Sequence, residues 1–533
     1  MERMLKGAAA RGFACIIAVC MVISMVFSGC TSADAAEDSQ EKEEVQDTQE
    51  TQETQEPEAE KRDDIVIVME SEPPTLHPFD HKAVTAGYMN NLTFNCMFTI
   101  DIDTLQPVPD LCESYENISD TEWIFHLHQN VNFHDGSHMT AEDVVASMEW
   151  AKTYPTTKDY TSFWTAAEVV DEYTVKVTTD GPYALVLHNL ASIKIVPKAL
   201  IDVEHDFGTD PIGTGPYKFV EQKLGESITF VKNEDYFDTE HQPQITNMVW
   251  KVIPEGSSRT IALEAGEADV IIEVESNDIQ RMEENEDITV LKTEGTRLNF
   301  VCMNSEVFPF NNQYFRKAMN AAIDRDAVIT VACNGLGAKS ISQTPMVFEG
   351  ATETNAQDYD PEQAKAYLEQ SGIDLSTVNF SMIVSNDANR RTAEVIQAYL
   401  QEVGITMEIE NMDYATQLTA IMSGDYEASI IGYTSNNMSM FLTGLYHSSA
   451  INAANLSRIN EPELDALIEL GKTQIDEAVR GETFTKATEF LNDWAPFVPL
   501  YQTVVTRACS SKLEGFQVSA AGGMRFQDVY WAE

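Results

Sequence analysis

The chain has 533 residues, with 86 Asp and Glu against 34 Lys and Arg, a formal charge of −52 at pH 7. An excess of that size excludes nucleic acid and anionic membrane surfaces as partners, because both would repel it. The length exceeds what one hydrophobic core holds and fits two or three domains.

Arg3, Lys6 and Arg11 precede the apolar run Phe13 to Phe27, the order of a secretory signal peptide. About fifteen apolar residues fall short of the roughly twenty that cross a bilayer as a helix. Ser28-Gly29-Cys30 resembles the lipobox of bacterial lipoproteins, although Phe27 stands where leucine is usual. The resemblance implies that residues 1–29 are removed and that Cys30 is diacylated. The protein is then held by lipid at the outer face of the cytoplasmic membrane. Residues 31–62 contain no aromatic residue, repeat a Thr-Gln-Glu unit, and carry 12 acidic against 3 basic residues. They bury too little apolar surface to offset the entropy of ordering, so 30–62 reads as a lipidated cysteine followed by an acidic, extended spacer.

The folded body starts with Ile65-Val66-Ile67-Val68-Met69, continuously apolar as expected of a strand buried on both faces. Residues 99–202 mix short strands (Trp123-Ile124-Phe125 and Tyr173 to Val177) with a helix opening at Thr140, whose Asp143 suits the positive end of the helix dipole. Gly213-Thr214-Gly215-Pro216 predicts a turn that uses glycine's backbone freedom. Arg316, Asp324 and Arg325 are expected in surface or interdomain contacts.

From residue 360 the punctuation is clearer. Asp360-Pro361-Glu362-Gln363 supplies an N-cap, a first-turn proline and a capping-box glutamine, and Gly372 ends the helix. Ala393, Ile396, Leu400 and Val403 form a helical stripe closed by Gly404, and Ile405, Met407 and Ile409 alternate as a strand. Asp413 opens a helix running to Gly424, and Ala428-Ser429-Ile430-Ile431-Gly432 is the next strand. These are α/β units with short connections, and such folds bind ligands at their strand ends.

Five cysteines (Cys96, Cys112, Cys302, Cys333, Cys509) remain beyond the spacer, odd in number and without CxxC spacing. Neither a zinc site nor a complete disulfide framework is indicated; one disulfide and buried free thiols both stay open. His126, His128, His134 and His138 fall within thirteen residues, His126 and His128 sharing a strand face, but no nearby cysteine or carboxylate set supports a metal. His447 is a possible contact for a metal chelate. No HExxH, GxSxG or P-loop is present, and no catalytic residue or cofactor is assigned.

An ordered set of runs spans nearly all of 63–533: PPTLHP (73–78), VNFHDGSHMTAEDVVASMEWAK (131–152), PIGTGPYKFVE (211–221), NEDYF (233–237), IALEAGEADVI (261–271), FRKAMNAAIDRDAVI (315–329), YDPEQAKAYLEQSGI (359–373), GDYEASIIGY (424–433), FLTGLYHSSAINAANLSRINEPELDALIE (441–469) and DWAPFVPLYQ (493–502). Together they resemble the family 5 extracytoplasmic solute-binding proteins of peptide- and nickel-type ABC importers. The resemblance implies an α/β, two-lobed periplasmic-binding-protein type II fold with an additional α+β domain. Lobe one would comprise 63–98, 203–292 and 500–533, with 99–202 inserted in it, and lobe two 293–499. Chain crossings near 293 and 499 would form the hinge.

The implied role is that of a monomeric capture protein, delivering a peptide or similar polar solute to an ABC permease and its ATPase subunits. A peptide sensor or extracytoplasmic chaperone on the same fold, and an importer component for sugar or nickel chelate, remain alternatives. In peptide-binding relatives an aspartate just after the strand matching Ala428 to Tyr433 meets the peptide's ammonium group. Here that stretch reads Thr434-Ser435-Asn436-Asn437-Met438-Ser439-Met440, with no carboxylate. Thr434, Ser435 and Asn436 are therefore candidate ligand contacts for neutral polar groups, with any ammonium partner supplied from elsewhere. By the same resemblance KAVTAGY (82–88) lines the cleft, which makes Thr85 and Tyr88 candidates, with Trp164 and Arg390 as further ones.

Overall fold

The computed structural model describes residues 62–532. The signal region, Cys30 and the acidic spacer up to residue 61 lie outside the described residues. The frame of the body is one eleven-stranded sheet. In chain order its strands are β1 (Asp64–Met69), β2 (Tyr217–Lys223), β3 (Ser227–Lys232), β4 (Asn247–Val252), β5 (Val270–Ile271), β6 (Ile288–Met303), β7 (Ala338–Lys339), β8 (Asn379–Val384), β9 (Thr406–Asn411), β10 (Ala428–Tyr433) and β11 (Phe497–Ser510). Their spatial order is β9-β8-β10-β6-β11-β5-β1-β4-β3-β2, with β7 beside β11.

The two long strands, β6 and β11, run through both halves and pair antiparallel. Their register shifts between Glu294 and Leu298, opposite Gln502 to Val504. Gly295 sits in this break, where a Cβ would lie 2.5 Å from the Thr503 carbonyl. A bulge bends a ladder and raises its local twist, so the sheet divides here into two lobes. Thr293 pairs with Val505 and Phe300 with Pro499, so the stretches near 293 and 499 lie along the same double strand.

Each half is covered on both faces. Alternation along β6 sends Phe300 and Cys302 into a core with Phe441, Leu445 and Phe484. Val301 and Met303 enter the opposite core with Phe315, Leu368 and Ile396. On β1, Ile65, Ile67 and Met69 face one core and Val68 another, which is why that strand is apolar throughout. Each such large side chain contributes about 1.5–3 kcal/mol by leaving water. The N-cap and glycine signals act as read, whereas the capping-box glutamine does not: the Asp360 amide donates to the Ala321 carbonyl and not to the Gln363 side chain. Asp360 accepts from the Glu362 and Gln363 amides, and Gly372 and Gly424 adopt the left-handed conformation that ends their helices.

The inserted α+β segment forms a four-stranded antiparallel sheet in the order 112–119, 122–127, 174–179, 164–171, with the helix Ala141–Ala151 packed on it. Asp143 accepts from both the backbone and the hydroxyl of Thr140, at 2.8 and 3.1 Å. The core of this segment also takes in Phe79 and Met97, upstream of residue 99, because its hydrophobic face is completed by the chain that enters it. Among the described residues all five cysteines are free, four buried and Cys333 half-buried.

Two readings are corrected. Arg316 and Arg325 make no surface contact: they are 2% and 0% exposed. Arg316 donates to the carbonyls of Phe310, Trp494 and Ala495, and its guanidinium lies 3.7 Å from the Trp494 ring. Arg325 donates to the carbonyls of Asn320, Ile323 and Pro499. Arg316 clamps the segment that leads into β11 and Arg325 the start of β11 itself, and burial pushes their guanidinium pKa values down, to about 9 and about 10. The second correction concerns Gly213 and Gly215, whose φ angles are not positive. Space is what demands glycine there, since a Cβ would meet the Thr93 and Leu92 carbonyls at 2.2 and 2.3 Å.

Candidate ligand-binding cleft

A cavity of about 1660 Å³ lies between the lobes. Lobe two supplies the stretch from Tyr433 to Gly444, the end of β10 and the helix that follows it (Met438–Tyr446). The opposing wall comes from the start of the helix Val84–Thr93, the hairpin of strands Phe98–Ile100 and Pro107–Pro109, and Ser519 to Gln527. On the lobe-two side Asn437 caps the helix, accepting from the Met440 amide at 2.9 Å. Ser435 donates to the Asn437 carbonyl at 3.2 Å and is buried. Thr434 and Asn436 are exposed. The Thr434 hydroxyl accepts from Arg297 Nη1 at 3.3 Å, so a guanidinium from the hinge attends this loop. Helix N-terminus and guanidinium together make this side of the cavity electropositive.

Of the candidate residues, Thr434, Ser435 and Asn436 line this cavity. Thr85 does not, although Lys82, Ala83, Val84 and Gly87 around it do. Tyr88 turns into lobe one, stacked on Trp250 with ring centroids 6.1 Å apart and accepting from Arg507 at 3.3 Å. It borders a small neighbouring pocket with Met524 and Gln527. Trp164 is buried in the inserted segment, its Nε1 donating to Glu149 and Lys152 lying over its ring. Arg390 lies on the surface of the helix Asp387–Glu402, paired with Glu394 and Asp387. Neither Trp164 nor Arg390 reaches the cavity.

The histidines scatter. His126 meets Thr174, His138 meets Asn132 and Tyr173, and the half-buried His134 donates to the Gly215 carbonyl, desolvation pushing it down to about 4. His128 lies against Phe237 at the cavity, their rings tilted by 44°, and His447 pairs with Glu469 away from it. Among the described residues no group of three metal-ligating side chains converges.

Several lining residues carry no sequence signal. Asp110, just past the hairpin, accepts from Asn95 Nδ2 at 2.9 and 3.1 Å and from the Cys96 amide at 3.2 Å. His188 bonds to the Leu105 backbone, and burial first, then Arg480, pushes it down to about 4. Leu105 itself, left-handed at φ 58°, plugs into the lobe-two core beside Phe441 and Leu445. The Ala184 amide donates to the Lys472 carbonyl at 2.8 Å, so the inserted segment touches lobe two along one rim.

A two-lobed α/β sheet joined through two long paired strands, with a cleft of about 1660 Å³ between its lobes, is built to hold a solute. Residues 106–453 match the family model "Bacterial extracellular solute-binding proteins, family 5 Middle". The chain belongs to that family. As a family 5 protein it is a solute-binding protein of the kind that serves ABC importers, and not an enzyme. It is 28% identical over 461 residues to the heme-binding protein A of Haemophilus influenzae, covering 79% of this chain and 83% of that one. It is 26% identical over 475 residues to the dipeptide-binding protein of Escherichia coli K12, covering 82% and 88%. The solved structure of HbpA2 from Haemophilus parasuis superposes with a TM-score of 0.82 at 24% identity, over 88% of this chain and all of that one.

Proposed function

We propose that this family 5 protein captures a peptide, or a similarly polar solute, between its lobes and delivers it to a separate ABC permease driven by ATPase subunits. The observation that carries this reading is the cavity itself, walled on lobe two by the uncharged polar loop Thr434 to Asn437 at the end of β10. The likeness to a dipeptide-binding protein supports peptide as the solute. A second reading, a porphyrin-like solute, is favoured by the likeness to a heme-binding protein and by His81, His128, His188 and His241 on the cavity wall. Native against denatured mass spectrometry of residues 63–533 separates the two by the mass released. Released peptides support the first reading, and a porphyrin mass or no ligand at all counts against it. Adding the released solute at a hundredfold excess over its dissociation constant is expected to stabilise the protein by about 2.7 kcal/mol, seen as a higher Tm.

Lipid attachment through Cys30 completes this proposal, because a captured solute has to be presented at the membrane. Cys30→Ser is expected to abolish labelling by an alkyne fatty acid and to leave the product soluble, secreted or unprocessed. Equal labelling of wild type and variant would overturn the assignment.

A further inference from the structure

Five carboxylates line the cavity: Asp101, Asp110, Asp159, Asp238 and Glu240. Asp101 is engaged by the amide and hydroxyl of Thr104, and Asp159 by Lys82 at 3.2 Å. Asp238 closes a turn by accepting from the Glu240 and His241 amides, and Glu240 is exposed. Asp110 differs from them. Its hydrogen-bond donors are neutral, the Asn95 amide and the Cys96 backbone, and among the described residues no cationic nitrogen lies within ion-pairing distance. Asn95 is fixed from its other side, its Oδ1 accepting from Thr214 at 3.1 Å, so its Nδ2 stays on the carboxylate. Asp110 Oδ1 takes one of these bonds and Oδ2 two, which leaves Oδ1 with a free acceptor site.

A desolvated carboxylate without a cation is costly, and a protein that keeps one on a cavity wall gains most from it when a cation arrives. We propose that Asp110 is the counter-charge for the amino group of the bound solute. The ammonium end then lies against lobe one, and the anionic or carbonyl end faces the electropositive Thr434 loop. The inference rests on the peptide reading above and deepens it, placing the ammonium on the wall opposite the loop after β10.

Burial is the main cause that pushes Asp110 up to about 6. The charged and titratable groups facing it are Lys194, which lowers that value, Asp238, which raises it, and the thiol of Cys96 and hydroxyl of Tyr236, both held protonated by burial. An ammonium ligand needs the ionised form. Preference for a free amine therefore declines as pH falls through about 6, where the carboxyl takes up its proton.

The test uses the purified full chain and a pool of random tetrapeptides, before and after complete N-acetylation, with retention read by native mass spectrometry. Wild type is expected to retain the free-amine pool about tenfold or more over the acetylated pool at pH 7.5, and to lose most of that margin at pH 5. Asp110→Asn is expected to treat both pools alike at either pH, while melting no lower than wild type without peptide; Asp110→Ser repeats the comparison with the side chain shortened. A variant that discriminates as wild type does overturns the inference. Equal retention of both pools by wild type overturns it too and leaves the peptide reading standing, whereas retention of neither pool sinks both.

Discussion

Arg325→Leu is expected to destabilise lobe two by about 4 kcal/mol, read as an earlier midpoint in chemical denaturation. The guanidinium is fully buried and donates to three backbone carbonyls, at 2.6, 3.0 and 3.1 Å, and to Asn320 Oδ1 at 3.2 Å. Leucine fills part of the space and leaves those acceptors without donors in a site closed to water, and each unsatisfied polar group costs about 1–3 kcal/mol. The acceptors include Pro499, in the part of β11 that pairs with β6, so the damage reaches the strand that carries the hinge. Arg390→Ala is the contrasting case. Its ion pairs are on the surface and 40% exposed, and their loss is expected to cost under about 0.5 kcal/mol. Arg325→Leu within 1 kcal/mol of wild type would show that the carbonyls find other donors.

Gly215→Ala is expected to cost about 3 kcal/mol, or to prevent the inserted segment from seating on lobe one. The added Cβ would sit 2.3 Å from the Leu92 carbonyl and 2.5 Å from the Thr93 carbonyl carbon, both backbone atoms at the end of the helix Val84–Thr93, which cannot swing aside as a side chain can. The strain also acts on function. The Gly215 carbonyl receives His134 at 2.9 Å and Asn233 at 3.0 Å, and the Gly215 amide donates to Thr93, two residues before the Asn95 that holds Asp110. Limited proteolysis of the variant is expected to cut within 99–202 before the rest of the body. A protease pattern and Tm equal to wild type would show that the close approach is relieved by a small backbone shift.

By itself the sequence determined what depends on neighbours along the chain. Asp360, Asp413, Gly372 and Gly424 end their helices through bonds and φ angles within a few residues, and β1 and β10 are apolar because each residue meets a core. The polar loop Thr434 to Asn436 was legible for the same reason, since it directly follows a buried strand. What only the tertiary structure decided depends on partners far along the chain. Arg316 and Arg325 carry charge, which reads as surface, and only the carbonyls brought in from 494–499 make their burial tolerable. Gly213 and Gly215 look like turn residues until the end of the helix Val84–Thr93 is laid against them. Trp164, a candidate contact by resemblance, is buried in the inserted segment, where Glu149 accepts from its Nε1 and Lys152 lies over its ring. Asp110 is one acid among 86 Asp and Glu. Folding alone gives it a cavity, a fixed amide partner and no cation within ion-pairing distance, because burial and charge compensation are set by what packs around a side chain and not by what precedes it in the chain.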